Sequence, residues 1–299
     1  MSNLQLLFEA PIFSVQLLLD GILIGGVFAL AAFGMALVWG VMNIINIAQG
    51  ELVILGGFVT YFVYEAGFSP FLGIPVSAIV VFCVAWLLYR AVIFRVVDKD
   101  LFISLLATFG ISILLQQLMN EVFGADIVSA DSGLDNYQLF DNRVSVTQIK
   151  VVAFFISLAF GLGLVLFLKK SRLGQAIRAT AQNARAARIL GIDTDKVYAT
   201  TFALNGAICG VAGSLIVMTW IIHPYVGLVY TVRAFMIVVV AGLGNLAMVV
   251  LSGFGLGIAE NVAGFMLGAE FQIAFVFSLL VVILAWRNFR LGRQRKYLK

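Results

Sequence analysis

The chain alternates between long apolar runs and short polar interruptions. The runs extend about from Leu17 to Val41, Leu52 to Tyr64, Phe71 to Leu88, Leu101 to Leu118, Val151 to Leu168, Ala199 to Ile222, Ala234 to Val250, Leu251 to Leu267 and Phe271 to Trp286. Most approach the length a helix needs to cross roughly 30 Å of hydrocarbon. Repeated segments of alternating polarity are absent, and only helices or closed barrels satisfy their backbone in lipid. The pattern therefore predicts an all-α integral membrane protein, a polytopic helical bundle of 8–9 transmembrane or re-entrant segments forming one domain over residues 1–299. Leu52 to Tyr64 is short for a crossing and reads as re-entrant or extended.

Several polar positions interrupt the apolar pattern. The segment from Val41 to Glu51 brings Asn43, Asn46, Gln49 and Glu51 to the end of the first run, with Gly50 able to break a helix. Two readings fit: a broken helix of the kind that builds transporter sites, or a helix-helix turn wetted at the interface. On the fourth run Ser104, Thr108, Ser112, Gln116 and Asn120 recur at every fourth position. Each such step advances about 40° beyond a full turn, so consecutive members share a face. That face can line a polar path, or its hydroxyls can bond their own carbonyls and its amides join neighbouring helices. Gly21, Gly25 and Ala29, and later Ala203, Gly206, Ala207, Gly210 and Gly213, carry the small-residue spacing that lets helix backbones approach closely. Gly242, Gly244 and Asn245 split a late run, and Glu260 beyond them needs a partner or water, since a carboxylate at a helix centre costs on the order of 3 kcal/mol.

Composition agrees with the pattern: 62% of the 299 residues are hydrophobic and 11% charged, with mean hydropathy +1.07. A soluble domain is nearer half apolar and a quarter charged. Cys83 and Cys209 both lie inside apolar runs and read as small buried hydrophobes. The net charge of +4 matters less than its distribution, because sixteen of the nineteen Lys and Arg fall in three segments. These are Arg90 to Lys99, Lys169 to Lys196 and Arg287 to Lys299, and they are expected on the cytoplasmic side. The segment at about 121–147 carries Glu121, Asp126, Asp131, Asp135 and Asp141 against Arg143, as a translocated loop does. Parity then sets the C-terminus inside and the N-terminus outside. No Lys or Arg precedes Arg90, so the basic region of a cleavable signal peptide is missing and the N-terminus is expected to be retained. There is no Gly-rich phosphate loop with Lys and Ser or Thr, no Cys/His metal spacing, and a single histidine, His223 beside Pro224. This chain is not expected to be an enzyme, to bind a cofactor or metal, or to meet nucleic acid.

The basic loop at about 169–198 is alanine-rich and helix-prone. Asn183 can cap a short second helix and Gly191 can end it, so the loop offers a knob for another protein. A membrane-surface helix is the alternative, although its alanine face is small for interfacial insertion.

Taken together, Gly21 to Leu30 with Gly34 and Gly40, Asn46 to Glu51, Arg178 to Ala187 with Leu190 to Ile192, Pro224 with Gly227, and Ala241 to Asn245 resemble the ABC-importer permeases of the branched-chain amino acid type. The resemblance covers almost the whole chain; Gln49 stands where that family commonly has His. It implies a permease subunit in the bacterial inner membrane that moves branched-chain or other amino acids, with urea or short amides as the alternative cargo. It also implies that Arg178, Ala179, Gln182, Asn183, Ala186, Ala187, Leu190 and Gly191 form a coupling helix pair seated on a cytoplasmic ATPase. The partners implied are two ATP-binding subunits, a second related permease chain and an external solute-binding protein, with ATP used by the partners. Asn46, Gln49, Glu51, Ser104, Thr108, Ser112 and Gln116 are the expected substrate path. A self-sufficient secondary transporter or channel using Glu51 and Glu260 is the competing class; it has no need of a docking knob.

Overall fold

The computed structural model describes residues 11–97, 99–139, 144–242 and 245–297, with the side chains of 11–13, 138, 139, 144, 246, 287, 288 and 290–297 outside the description. Asp141, Arg143, Gly244 and Lys299 lie outside the described residues. The helices are α1 (Pro11–Met42), α2 (Gln49–Glu65), α3 (Pro70–Ala91), α4 (Leu101–Phe123), α5 (Gln148–Lys170), α6 (Arg172–Gln182), α7 (Ala184–Ile189), α8 (Thr194–Thr219), α9 (Gly227–Ala241), α10 (Leu246–Leu267) and α11 (Phe271–Tyr297). A two-stranded antiparallel hairpin, β1 (Asn136–Leu139) and β2 (Val144–Thr147), occupies the acidic segment. Its short strands escaped the sequence reading because they sit outside the long apolar runs. Among the described residues, seven helices are long and apolar enough to cross a membrane. With α2 and the apolar part of α11 they account for nine segments. One boundary moves: the seventh run, expected over Ala234 to Val250, is cut at Gly242. There φ is +78°, a conformation that suits glycine, and Asn245 caps α10 by accepting from Met248 N at 3.2 Å.

The bundle has a hairpin end and a basic end. Gln16 donates to Ser145 O near the start of α1, and the segment after α8 meets the acidic loop through the Val128–Ile222 bridge. At the opposite end Arg90 pairs with Asp195 at 3.0 Å.

Helices α1–α4 and α8–α11 form two copies of one arrangement in opposite directions. Helix α1 lies along α10, and α8 lies along α3 in the same way. Helix α2 packs on α8 as α9 packs on α1, while α4 touches α2 as α11 touches α9. The small-residue faces make these approaches. A Cβ on Gly21 would lie 2.9 Å from Ile258 N, and one on Gly25 2.8 Å from Phe254 Cα; one on Gly210 would lie 2.8 Å from the Ser77 carbonyl carbon. Both pairs run antiparallel, as does α1 against α8, where Gly34 faces Asn205 and Ala31 lies near Cys209. Between the copies, α5 returns to the basic end and α6 and α7 turn across it.

A hydroxyl cluster fixes the α2–α3–α8 contact. Ser77 and Ser214 Oγ are 2.5 Å apart, and Thr60 Oγ1 donates to Ser214 Oγ at 2.7 Å. All three are buried. Ser214→Ala, which removes the shared hydroxyl without adding bulk, is expected to cost about 2 kcal/mol, read as a lowered Tm of the purified chain.

Candidate functional site

The residues from Val41 to Glu51 form a helix break inside the bundle. Helix α1 continues to Met42, and Asn43 turns the chain with φ +53°. The following residues climb back, because Gln49 Nε2 donates to Ala31 O at 2.9 Å. Ala31 lies eleven residues before Met42, so α2 starts about 16 Å above the end of α1. Its 17 residues then cover about 25 Å toward the hairpin end. The inverted copy does the same: after α8, residues 220–226 return into the bundle, and α9 starts at Gly227 against Gly50 and Glu51. Two half-helices therefore meet by their N-termini, with Gly50 N donating to Thr231 Oγ1 at 2.8 Å and Thr231 Oγ1 donating to Ile47 O at 2.8 Å. Of the two readings of this segment, the broken helix is the observed one.

Polar side chains gather around the junction. Gln49 Nε2 also reaches Cys209 Sγ at 3.1 Å, and Asn46 Nδ2 donates to Gln49 Oε1 at 3.3 Å. Ser112 Oγ donates to Glu51 Oε1 at 3.2 Å, and Thr108 Oγ1 donates to Ile45 O at 3.1 Å. Asn46, Gln49, Glu51, Thr108 and Asn205 are buried. Asn46 Oδ1, Glu51 Oε2 and Asn205 Nδ2 are buried without a protein hydrogen bond, a state that buried polar atoms rarely keep. Both helix N-termini present their positive ends near the Glu51 carboxylate.

The α4 stripe has its Ser104, Thr108 and Ser112 buried and Gln116 half-buried. Ser104 Oγ and Thr108 Oγ1 also bond their own helix, to Leu101 O at 2.8 Å and Leu105 O at 3.0 Å. The stripe thus clips α4 to the helix break through Thr108 and Ser112. Sequence reading passed over Asn205, Thr231 and Cys209 as partners here, since their meeting with the helix break depends on packing between helices far apart in the chain. It also passed over Arg233, whose signal was its place outside the three basic segments. Arg233 supplies the partner that Glu260 requires, with Nε donating to Oε2 at 3.1 Å and Nη2 donating to Oε1. His223 caps the turn before α9 by accepting from Tyr225 N at 3.3 Å.

At the basic end, Ser171 caps α6 by accepting from Gly174 N at 2.8 Å, and Asn183 caps α7 by accepting from Ala186 N at 3.0 Å. Gly191 ends the pair with φ +83°. The Asp193 carboxyl, exposed at the start of α8, is held below the usual carboxylate range by hydrogen bonds from the Lys196 backbone and ammonium. Arg178, Gln182, Asn183, Ala186 and Gly191 are exposed and Ala179 is half-buried. One expectation needs correction: Ala187 is 2% exposed and faces its own chain, so it offers no surface to a partner. The outward apolar tip is instead Ile189 and Leu190, 82% and 80% exposed.

A membrane bundle with two half-helices meeting at polar side chains narrows the class to transport, and comparison with known proteins decides the family. Residues 17–285 match the family described as branched-chain amino acid transport system / permease component. The chain belongs to this family of permeases. It is 30% identical over 292 residues to the high-affinity branched-chain amino acid transport system permease protein LivH of Escherichia coli K12, covering 92% of this chain and 94% of that protein. It is 27% identical to BraD of Pseudomonas aeruginosa, a permease protein of the same description, over 91% of this chain and 94% of that one. A probable branched-chain amino acid transport permease protein LivH of Methanocaldococcus jannaschii is 27% identical over 90% and 89%. No solved structure matches. The chain is thus a multi-pass membrane permease component, a transport subunit and not an enzyme.

Proposed function

We propose that this chain is one of two related membrane subunits of an ATP-driven importer in the bacterial inner membrane, carrying branched-chain or other amino acids inward. Of the importer's two ATP-binding subunits one docks on α6 and α7, and an external solute-binding protein delivers the solute at the hairpin end. The relatives' printed descriptions support the cargo class. The observation that carries a transport role is the half-helix junction, because polar groups at that depth can replace the water a solute sheds. The basic end carries Arg90, Arg95 and the α6–α7 loop, which supports a cytoplasmic placement.

In this reading Asn46, Gln49 and Glu51 form the inner part of the path, and Ser104, Thr108, Ser112 and Gln116 border it from α4. The test is uptake of radiolabelled L-leucine by the complete importer in proteoliposomes. Ser112→Leu removes the donor to Glu51 and adds bulk beside it, and uptake is expected to fall about tenfold or more, as for a buried charge losing a hydrogen bond worth about 1.5–3 kcal/mol. Gln116→Leu, at a half-buried position, is expected to lower uptake less. Wild-type uptake in both variants at equal membrane abundance removes the stripe from the path.

A further inference from the structure

A cavity of about 340 Å³ lies among α1, α9, α10 and the start of α11, toward the hairpin end and apart from the junction. Its walls include Phe28, Trp220 and Tyr230, with Arg233, Glu260 and Lys150 supplying charge. Phe28 and Trp220 stack with ring centroids 6.2 Å apart. The Arg233 guanidinium carbon lies 4.7 Å from the Phe28 ring centre and 5.1 Å from that of Tyr230. These contacts hold the guanidinium in place while it pairs with Glu260, their side chains 12% and 7% exposed. At the rim Lys150 Nζ pairs with Asp20 Oδ1 at 2.9 Å.

The Arg233–Glu260 pair in the cavity wall needs a reason, because buried pairs seldom stabilise a fold better than apolar residues of the same volume. The hydrogen bonds described occupy two of the five N–H groups of Arg233 and one of the three of Lys150, and each carboxylate oxygen has lone pairs to spare. The cavity volume falls within the range of small-molecule sites, and its lining is divided almost evenly between apolar walls and polar or charged groups. Both signs of charge beside aromatic and aliphatic walls match one chemistry, a zwitterion carrying an apolar side chain.

We infer that this cavity is a binding site for an α-amino acid with an apolar side chain, its carboxylate held by Arg233 and its ammonium by Glu260. The inference rests on the amino-acid importer reading and gives it a waiting site on the hairpin side of the junction. Lys150 and Asp20 widen the same charged rim.

The test uses the full chain in lipid nanodiscs with Trp39, Trp86 and Trp286 changed to Phe, so that Trp220 in the cavity wall reports occupancy by its fluorescence. L-Leucine is expected to shift the emission saturably. Leucinamide, which lacks the carboxylate, and isocaproate, which lacks the ammonium, are each expected to bind about tenfold more weakly, as loss of a charge-assisted contact implies. Arg233→Gln is expected to abolish the preference for leucine over leucinamide, and Glu260→Gln the preference over isocaproate. The double variant Arg233→Gln/Glu260→Gln, which buries no lone charge, is expected to lose both preferences, and Lys150→Gln at the rim to weaken leucine and isocaproate but not leucinamide. Equal binding of all three ligands, an unsaturable response, or variants that weaken all three alike would show an ion pair serving the fold only and overturn the site. Leucine uptake by the wild-type importer is measured alongside. Uptake without a Trp220 response overturns this site alone, whereas absence of amino-acid uptake overturns the parent reading and the site with it.

Discussion

Gly50→Val is expected to destabilise the permease strongly. A Cβ at Gly50 would overlap the Gly227 carbonyl oxygen and lie 2.6 Å from its carbon and 2.8 Å from Thr231 Oγ1. These are backbone atoms and a bonded hydroxyl, so no flexible side chain can swing away. The displaced groups also include the Gly50 N to Thr231 bond, and moving Gly227 would press it into the Glu51 carboxylate beside it. Overpacking alone costs typically about 1–3 kcal/mol, and the lost hydrogen bonds add about 1 kcal/mol or more. Against a total stability of about 5–15 kcal/mol, that is a large share of the total and is expected to lower the Tm by many degrees. The measurement is the yield and Tm of the monodisperse chain in detergent. Gly40→Ala is the control, because a Cβ there meets nothing within 4 Å; its Tm is expected to equal or slightly exceed that of the wild type, since Ala suits a helix better than Gly. A Gly50→Val chain that purifies with an unchanged Tm would mean that the half-helices do not cross as closely as described.

The second large effect is expected at the tip of the basic loop. Ile189 and Leu190 stand 82% and 80% exposed on a rigidly capped pair of short helices. Leu190→Glu together with Ile189→Glu buries nothing in this chain, so folding and membrane abundance are expected to stay at wild-type levels. ATP-driven uptake by the complete importer is expected to fall to background, because a carboxylate in an apolar docking groove costs several kcal/mol when unpaired. Arg185→Gln is expected to be mild if that residue meets only solvent and headgroups, each basic residue contributing about 1 kcal/mol near an anionic surface. Full uptake in the glutamate variant, with a severe loss in Arg185→Gln, would indicate that the loop lies on the membrane and not in a partner.

The segments of the bundle were legible because a lipid-facing helix writes its length directly in apolar residues. Eight of the nine runs kept one helix each; the run across Gly242 did not, since hydropathy continues through a turn that only the backbone torsion reveals. The helix break near Gln49 could be seen as polar residues in the wrong place, but its depth could not. That depth depends on which helix supplies the Ala31 carbonyl and the Cys209 sulfur. The partner of Glu260 was hidden for a similar reason, because Arg233 lies 27 positions away on another helix. Spacing along one helix predicts a shared face; it carries no record of what that face meets.

The reciprocal packing of the two halves has a consequence for synthesis. Helix α1 finds its neighbour α10 only near the end of the chain, as the bond from Asn261 to Leu17 across 244 residues illustrates. Helix α3 likewise waits for α8, with Ser77 and Ser214 separated by 137 positions. A ribosome that has released α1 through α5 has made helices whose Gly21, Gly25 and Gly56 still lack the neighbours they pack against, and such late, distant closures fold slowly and leave incomplete states exposed. The first half is therefore an unfinished object and not a smaller permease, and a chain stopped between α7 and α8 is expected to be a target of membrane proteolysis.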